Sequence, residues 1–259
     1  MSSPIWTRVA LSSEFQSFDG SCWRLVEAQH RVSTLKLTDT LAEQALLEDL
    51  IEGTKQAIPP ECRHLDFLLA TPFRYGAVYP HGSRFRRPGR TLGVYYASES
   101  PTTAVAEMAF YRLLFFAESP ATPWPSDAAE YTAFSAGIST TRLLDLTSEP
   151  LSADAAIWTD LIDYAGCQVF ADAARTADAN VIRYLSVRDP AKGSNLAILM
   201  CRAFSQPAPV VRQTWRIRLS ASGIQALCEF PRQAVEFPRH AFAADPRIAA
   251  VNWERGGAQ

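Results

Sequence analysis

The chain is short of lysine. Lys36, Lys55 and Lys192 are the only lysines among 25 basic residues, and all the others are arginines. Guanidinium groups grip phosphates in a bidentate way, but genome composition produces the same bias, so position and not count must decide. Net charge is nearly absent too. With 27 acidic and 25 basic side chains the formal charge is −2, which gives no electrostatic reason to expect nucleic-acid or membrane binding. The five cysteines (Cys22, Cys62, Cys167, Cys201 and Cys228) are odd in number, scattered and without a Cys-x-x-Cys pair. Reduced thiols of a cytoplasmic protein are expected from them, in preference to a disulfide framework or a zinc site.

Histidine is equally scarce. His30, His64, His81 and His240 lie far apart, and none stands in a His-Glu-x-x-His or comparable metal-binding spacing. There is no P-loop and no Gly-x-Gly-x-x-Gly, so kinase and Rossmann readings find no support. No apolar run approaches membrane-spanning length, and the longest candidate, 104–117, is broken by Glu107 and Arg112. Residues 1–10 lack a basic stretch followed by an apolar one, so no signal peptide is expected.

What is present is an ordinary globular composition. The 259 residues are 47% apolar and 20% charged, enough for one large domain or two small ones with a buried core. Thr40 and Glu43 form a capping-box pattern ahead of Leu41, Leu46, Leu47 and Leu50, and Gly53 closes that helix. Pro59 and Pro60 end the segment, so residues 1–60 read as a helical extension packed on the main domain. The run from Phe67 to Tyr79 predicts a strand or strand pair, and residues 91–97 another strand. Ser100 and Pro101 suit the N-cap and first position of a helix over 101–117. Strands are expected at 130–138, 140–146, 180–188, 195–204 and 209–220. A helix is expected over 153–174 and a short one near Ile224, with residues 231–259 as a tail. Strands and helices mix without strict alternation, which favours an α+β fold.

Few residues stand out chemically. On its predicted helix, Glu107 shares a face with Thr103, Ala104, Phe110 and Tyr111. A carboxylate there is costly unless paired or used; it is a functional group, an exposed glutamate or half of a structural ion pair. Arg84, Arg86, Arg87 and Arg90 crowd a loop with Gly82 and Gly89. That loop is either a solvated basic segment or a diphosphate clamp. Arg74 and Tyr75 fall in an apolar run, Tyr95 and Tyr96 end the strand before the Glu107 helix, and Ser186 lacks any Gly-x-Ser-x-Gly context.

In order, "TPFRY", "GSRFRRPG", "VYYASESPTTAVAE", "LLDLT" and "YLSVRDPAKGSNLAIL" resemble the RES-domain family over roughly residues 70–205. Tyr96 to Glu107, and Ser186 to Arg188 with Asn195, carry the resemblance best. It implies a single RES domain, placed at 61–230, whose mixed-sheet core is related to ADP-ribosyltransferase toxins. It also implies a site that takes NAD as substrate and needs no metal. By position, Arg74 and Tyr75 match the first motif, Arg84 the second, Tyr96 and Glu107 the third and Ser186 the last. Glu107, Arg74 and Ser186 are thereby expected to be catalytic, and Arg74, Tyr75, Arg84, Tyr96 and Ser186 to bind NAD. Ser83 and Arg86 depart from the glycine and asparagine frequent in the family. The resemblance further implies a toxin that splits the nicotinamide–ribose bond and passes ADP-ribose to an acceptor, a protein side chain being favoured. Its partner would be an Xre-like helix-turn-helix antitoxin, which alone would touch DNA. An NAD glycohydrolase or phosphorylase, and a non-catalytic nucleotide-binding module, are the alternatives.

Overall fold

The computed structural model describes residues 6–27, 37–74, 82–89 and 91–255. In chain order its helices are α1 (Arg8–Ser13), α2 (Leu41–Thr54), α3 (Phe67–Ala70), α4 (Pro101–Glu118), α5 (Ala155–Trp158), α6 (Ala165–Thr176) and α7 (Pro246–Ala249). The strands are β1 (Gln16–Glu27), β2 (Tyr95–Ser98), β3 (Ala129–Asp145), β4 (Val181–Leu185), β5 (Ser194–Ile198), β6 (Val211–Ser220), β7 (Gly223–Cys228) and β8 (Gln233–Pro238). This is the mixed α+β architecture expected. The eight strands form one sheet in the order β1-β2-β5-β4-β3-β6-β7-β8. Strands β3 and β4 run parallel and the other pairs are antiparallel.

The topology turns on β3. One of its edges pairs with β1, from Gln16 opposite Leu143 to Glu27 opposite Tyr131. Its N-terminal half also pairs with β6 and its C-terminal end with β4. Because β1 reaches β2 as well, strands β1, β2, β5, β4 and β3 close into a circuit. A buried apolar cluster draws on all five of these strands, through Cys22, Tyr95, Leu196, Val181 and Phe134, and is capped by Leu69 and Phe73. A second cluster lies between α4 and the β6–β8 meander, where Phe110 and Leu113 meet Trp215 and Ile217. The third lies under α6, around Phe170, Ile182 and Tyr184. Fully burying one such side chain is worth about 1.5–3 kcal/mol, so α4 is held chiefly by packing.

Several expectations are corrected. The N-terminal 60 residues are not a purely helical extension, since β1 is an integral strand. The tail likewise supplies β8 and α7. Residues 67–74 are helical: the Asp66 carboxylate accepts from the Leu68 amide at 2.9 Å and nucleates a turn where the apolar run predicted a strand. Residues 75–79 of that run lie outside the described residues. The two strands expected at 130–146 are one continuous β3. The helix expected over 153–174 is split, because Asp160 accepts from the amides of Ile162 and Asp163, and Asp163 from that of Ala165. The segment at Ile224 is a strand, entered through Gly223 at φ +132°. Cys62 and Cys201, 139 residues apart in sequence, are joined in a disulfide, so the expectation of reduced thiols holds only for Cys22, Cys167 and Cys228. Among the described residues no helix is long and apolar enough to cross a membrane.

Candidate active site

Helix α4 begins as its sequence dictates. The Ser100 hydroxyl accepts from the Thr103 amide at 3.1 Å, and Pro101 occupies the first turn. The helix buries Ala106, Ala109, Phe110 and Leu113, which leaves Glu107 half-buried at the margin of the packed face. Among the described residues the Glu107 carboxylate is not paired with an arginine, but it is hydrogen-bonded. Its Oε1 accepts from Ser186 Oγ at 2.7 Å and from Asn195 Nδ2 at 2.6 Å. Among the described residues its Oε2 accepts no hydrogen bond. Ser186 lies just beyond β4 and Asn195 on β5, so two strands of the circuit deliver the two donors to one helix.

The turn after β4 is fixed independently. Asp189 Oδ2 accepts from Thr103 Oγ1 at 2.8 Å and from the Gly193 amide at 3.2 Å, which fastens the turn to the first turn of α4. A β-carbon on Gly193 would stand 2.1 Å from Thr103 Oγ1, so glycine is required for this close approach. Arg188, 4% exposed, donates to Asp245 at 2.6 Å and to the Leu161 carbonyl at 2.6 Å, with its guanidinium 3.9 Å from the centre of the Phe110 ring. Arg247 donates to the same aspartate. The C-terminal segment is thereby clasped to the turn that carries Ser186.

Two tyrosines, Tyr184 and Tyr111, lie within electrostatic reach of Glu107. The Tyr184 hydroxyl is pushed well above its ordinary range by burial and, after that, by the Glu107 carboxylate. Tyr111, one turn beyond Glu107, is also raised, first by burial of its hydroxyl end and then by Glu107, although 54% of the residue is exposed. Tyr96 is pushed up to about 12, mainly by burial. Its hydroxyl bonds to Ser83 Oγ at 2.8 Å and to the Phe85 amide at 2.9 Å, which anchors the arginine loop. All three therefore remain neutral hydroxyls at physiological pH, able to donate.

The arginines differ sharply in surroundings. Arg84 is buried, donating to the carbonyls of Trp158 at 2.5 Å and Asp160 at 2.8 Å, with its guanidinium 4.7 Å from the Tyr164 ring centre. It places the 158–164 loop as well as its own charge. Arg87 is at the surface, paired with Asp172. Arg74 meets Glu52 of α2 at 2.6 Å, and its Nε is buried without a partner among the described residues. Among the described residues its contacts do not join it to the Glu107 cluster. Tyr75, His81 and Arg90 lie outside the described residues.

The structure thus brings together Glu107 and Ser186 directly, and Tyr184 feels the charge of Glu107 and the hydroxyl of Tyr96. Sequence reasoning missed Ser98, Tyr184 and Asp245 altogether and gave Asn195, Tyr111 and Arg188 no role in the site. Tyr111 alone had a local signal, its helical spacing four residues from Glu107. The others depend on strand register or on a contact with the distant C-terminal segment.

A search of curated proteins gave no match. Among solved structures, the M. tuberculosis MbcT–MbcA toxin–antitoxin complex contains a chain that is similar over 93% of this chain and 97% of that one, with 14% identity and a TM-score of 0.45. The family model for the RES domain matches residues 58–220, well over half of the sequence and the span that holds Arg74, Arg84, Tyr96, Glu107, Ser186 and Asn195. The chain belongs to the RES domain family.

Proposed function

We propose that this protein splits NAD at the nicotinamide–ribose bond and transfers ADP-ribose to an acceptor, with a protein side chain favoured. The observation that carries the reading is a half-buried carboxylate with one oxygen held by two donors and the other accepting no hydrogen bond among the described residues. Breaking the C1′–N bond sends the bonding pair to the nicotinamide nitrogen, which leaves neutral, and positive charge builds on the ribose. In this reading Glu107 Oε2 meets a ribose hydroxyl and faces that charge, so its interaction strengthens as the bond breaks. Ser186 acts by holding the carboxylate. Tyr96 borders the nicotinamide and ribose, a role that the family motif also assigns to Tyr75, and Arg74 and Arg84 bring positive charge to the diphosphate. Arg84 does so while keeping its carbonyl bonds, and Arg74 by exchanging the Glu52 carboxylate for phosphate. The acceptor attacks C1′ with a lone pair and loses its proton. No step calls for a metal.

The family resemblance extends the proposal to a toxin restrained by a cognate helix-turn-helix antitoxin that blocks the mouth of the site. The test is nicotinamide release by purified protein, with products resolved in the presence of phosphate and of a cell extract as acceptor source. Labelled protein supports transfer; ADP-ribose or its 1″-phosphate alone replaces it with hydrolysis or phosphorolysis; no release in any condition overturns the proposal. Co-expression with the neighbouring gene product is expected to give a complex that releases no nicotinamide.

A further inference from the structure

We infer that Asn195, backed by Ser98, is a positioning residue that decides which oxygen of Glu107 reaches the substrate. Asn195 and Ser98 are each 2% exposed and face one another across β2 and β5. Opposed residues of a strand pair project to the same side of the sheet, and here that side meets α4. The Ser98 hydroxyl donates to Asn195 Oδ1 at 2.6 Å, and Asn195 Nδ2 donates to Glu107 Oε1 at 2.6 Å. A turned amide would still bond to the Ser98 hydroxyl, which can accept, but would set its oxygen against the carboxylate, so only one orientation donates to Glu107.

Ser186 completes the arrangement from the other side. Its oxygen accepts from the amides of Arg188 at 3.3 Å and Asp189 at 3.0 Å, which directs its one proton to Glu107 Oε1. Oε1 therefore has two donors, and Oε2 is left as the oxygen presented for chemistry. A carboxylate free to rotate would offer either oxygen in many poses, and a misplacement of about 1 Å at a reacting group can cost about 10²-fold in rate. The relay removes that freedom through a side chain that touches neither substrate nor reacting atom. This assignment rests on the proposed role of Glu107, and its test separates the two claims.

Asn195→Asp keeps the shape and replaces the N–H donor by a carboxyl that donates only when protonated. Two carboxyl groups this close share a proton, and one titrates well above the usual range. Nicotinamide release relative to wild type is therefore expected to be at least about tenfold higher near pH 5 than near pH 8. Thermal stability relative to wild type should follow the same direction, with the loss concentrated at the alkaline end. Ser98→Ala should lower kcat severalfold with KM for NAD nearly unchanged, and Ser98→Thr should restore it. A flat ratio to wild type in both activity and melting temperature would overturn the assignment, as would a Ser98→Ala loss confined to KM. If wild type releases no nicotinamide while the melting temperature of Asn195→Asp shows the pH dependence, the relay stands and the NAD reading fails.

Discussion

Arg84 and Arg87 stand in the same loop in unlike surroundings. Removing the Arg84 side chain leaves the carbonyl of buried Trp158 without its donor, at about 1–3 kcal/mol, takes a donor from the carbonyl of exposed Asp160, and withdraws the cation from the Tyr164 ring. Among the described residues the Arg87 side chain has an exposed pair with Asp172, the kind worth about 0–1 kcal/mol. Arg84→Ala is therefore expected to lower the denaturant midpoint markedly and to weaken NAD binding, whereas Arg87→Ala should move neither by more than a small amount. Equal, small effects in unfolding and NAD titration would mean that the whole loop is merely solvated. At this scale the sequence was informative about Glu107, because an acidic residue on an apolar helical face can be found from spacing alone. It was silent about Ser98, whose value comes from a partner 97 positions away.

At the scale of elements, the site is a join between α4 and the turn that links β4 to β5. Thr103 and Asp189 form the join, and Gly193 makes room for it. Gly193→Ala should push the two apart, lower the melting temperature and reduce kcat about tenfold or more, since both partners of the Ser186–Glu107 bond are carried by the displaced pieces. A variant with wild-type melting and wild-type kcat would show that the join does not position the carboxylate. Helix α4 was legible because Ser100 and Pro101 mark its start by local chemistry. Strand β1 was not, because its partner in β3 lies more than a hundred residues downstream and alternation in 16–27 is weak. The split between α5 and α6 escaped notice because Asp160 and Asp163 spend their carboxylates on local amides, a choice that apolar periodicity does not report.

At the scale of the whole molecule, residues outside the matched RES span complete the structure on both sides. Strand β1 closes the circuit, and the segment after 238 reaches back through Asp245 to Arg188. Burial works to raise the Asp245 carboxyl, but the bonds from Arg247 and the charge of Arg188 outweigh it and hold the group below the ordinary aspartate range. A carboxyl that titrates lower when folded stabilises fully above its unfolded value of about 3.9 and loses that contribution as pH falls through the native value. Thermal melts should accordingly show this contribution steady at neutral pH and lost only in strong acid, and Asp245→Asn should remove that acid-side component. Asp245→Ala, which leaves Arg188 buried without its charge partner, should cost about 3–5 kcal/mol at neutral pH. An Asp245→Ala protein as stable as wild type would show that the C-terminal segment is a passive tail.

These scales meet in a single carboxylate. The most direct measurement is nicotinamide release from NAD by wild type and by Glu107→Gln, each first shown to be folded by its melting transition. The amide keeps the shape of the side chain and removes the charge that faces the ribose. Release should fall by about 10²-fold or more in the variant if Glu107 stabilises the transition state. Release at the wild-type rate from a folded Glu107→Gln protein would contradict the account.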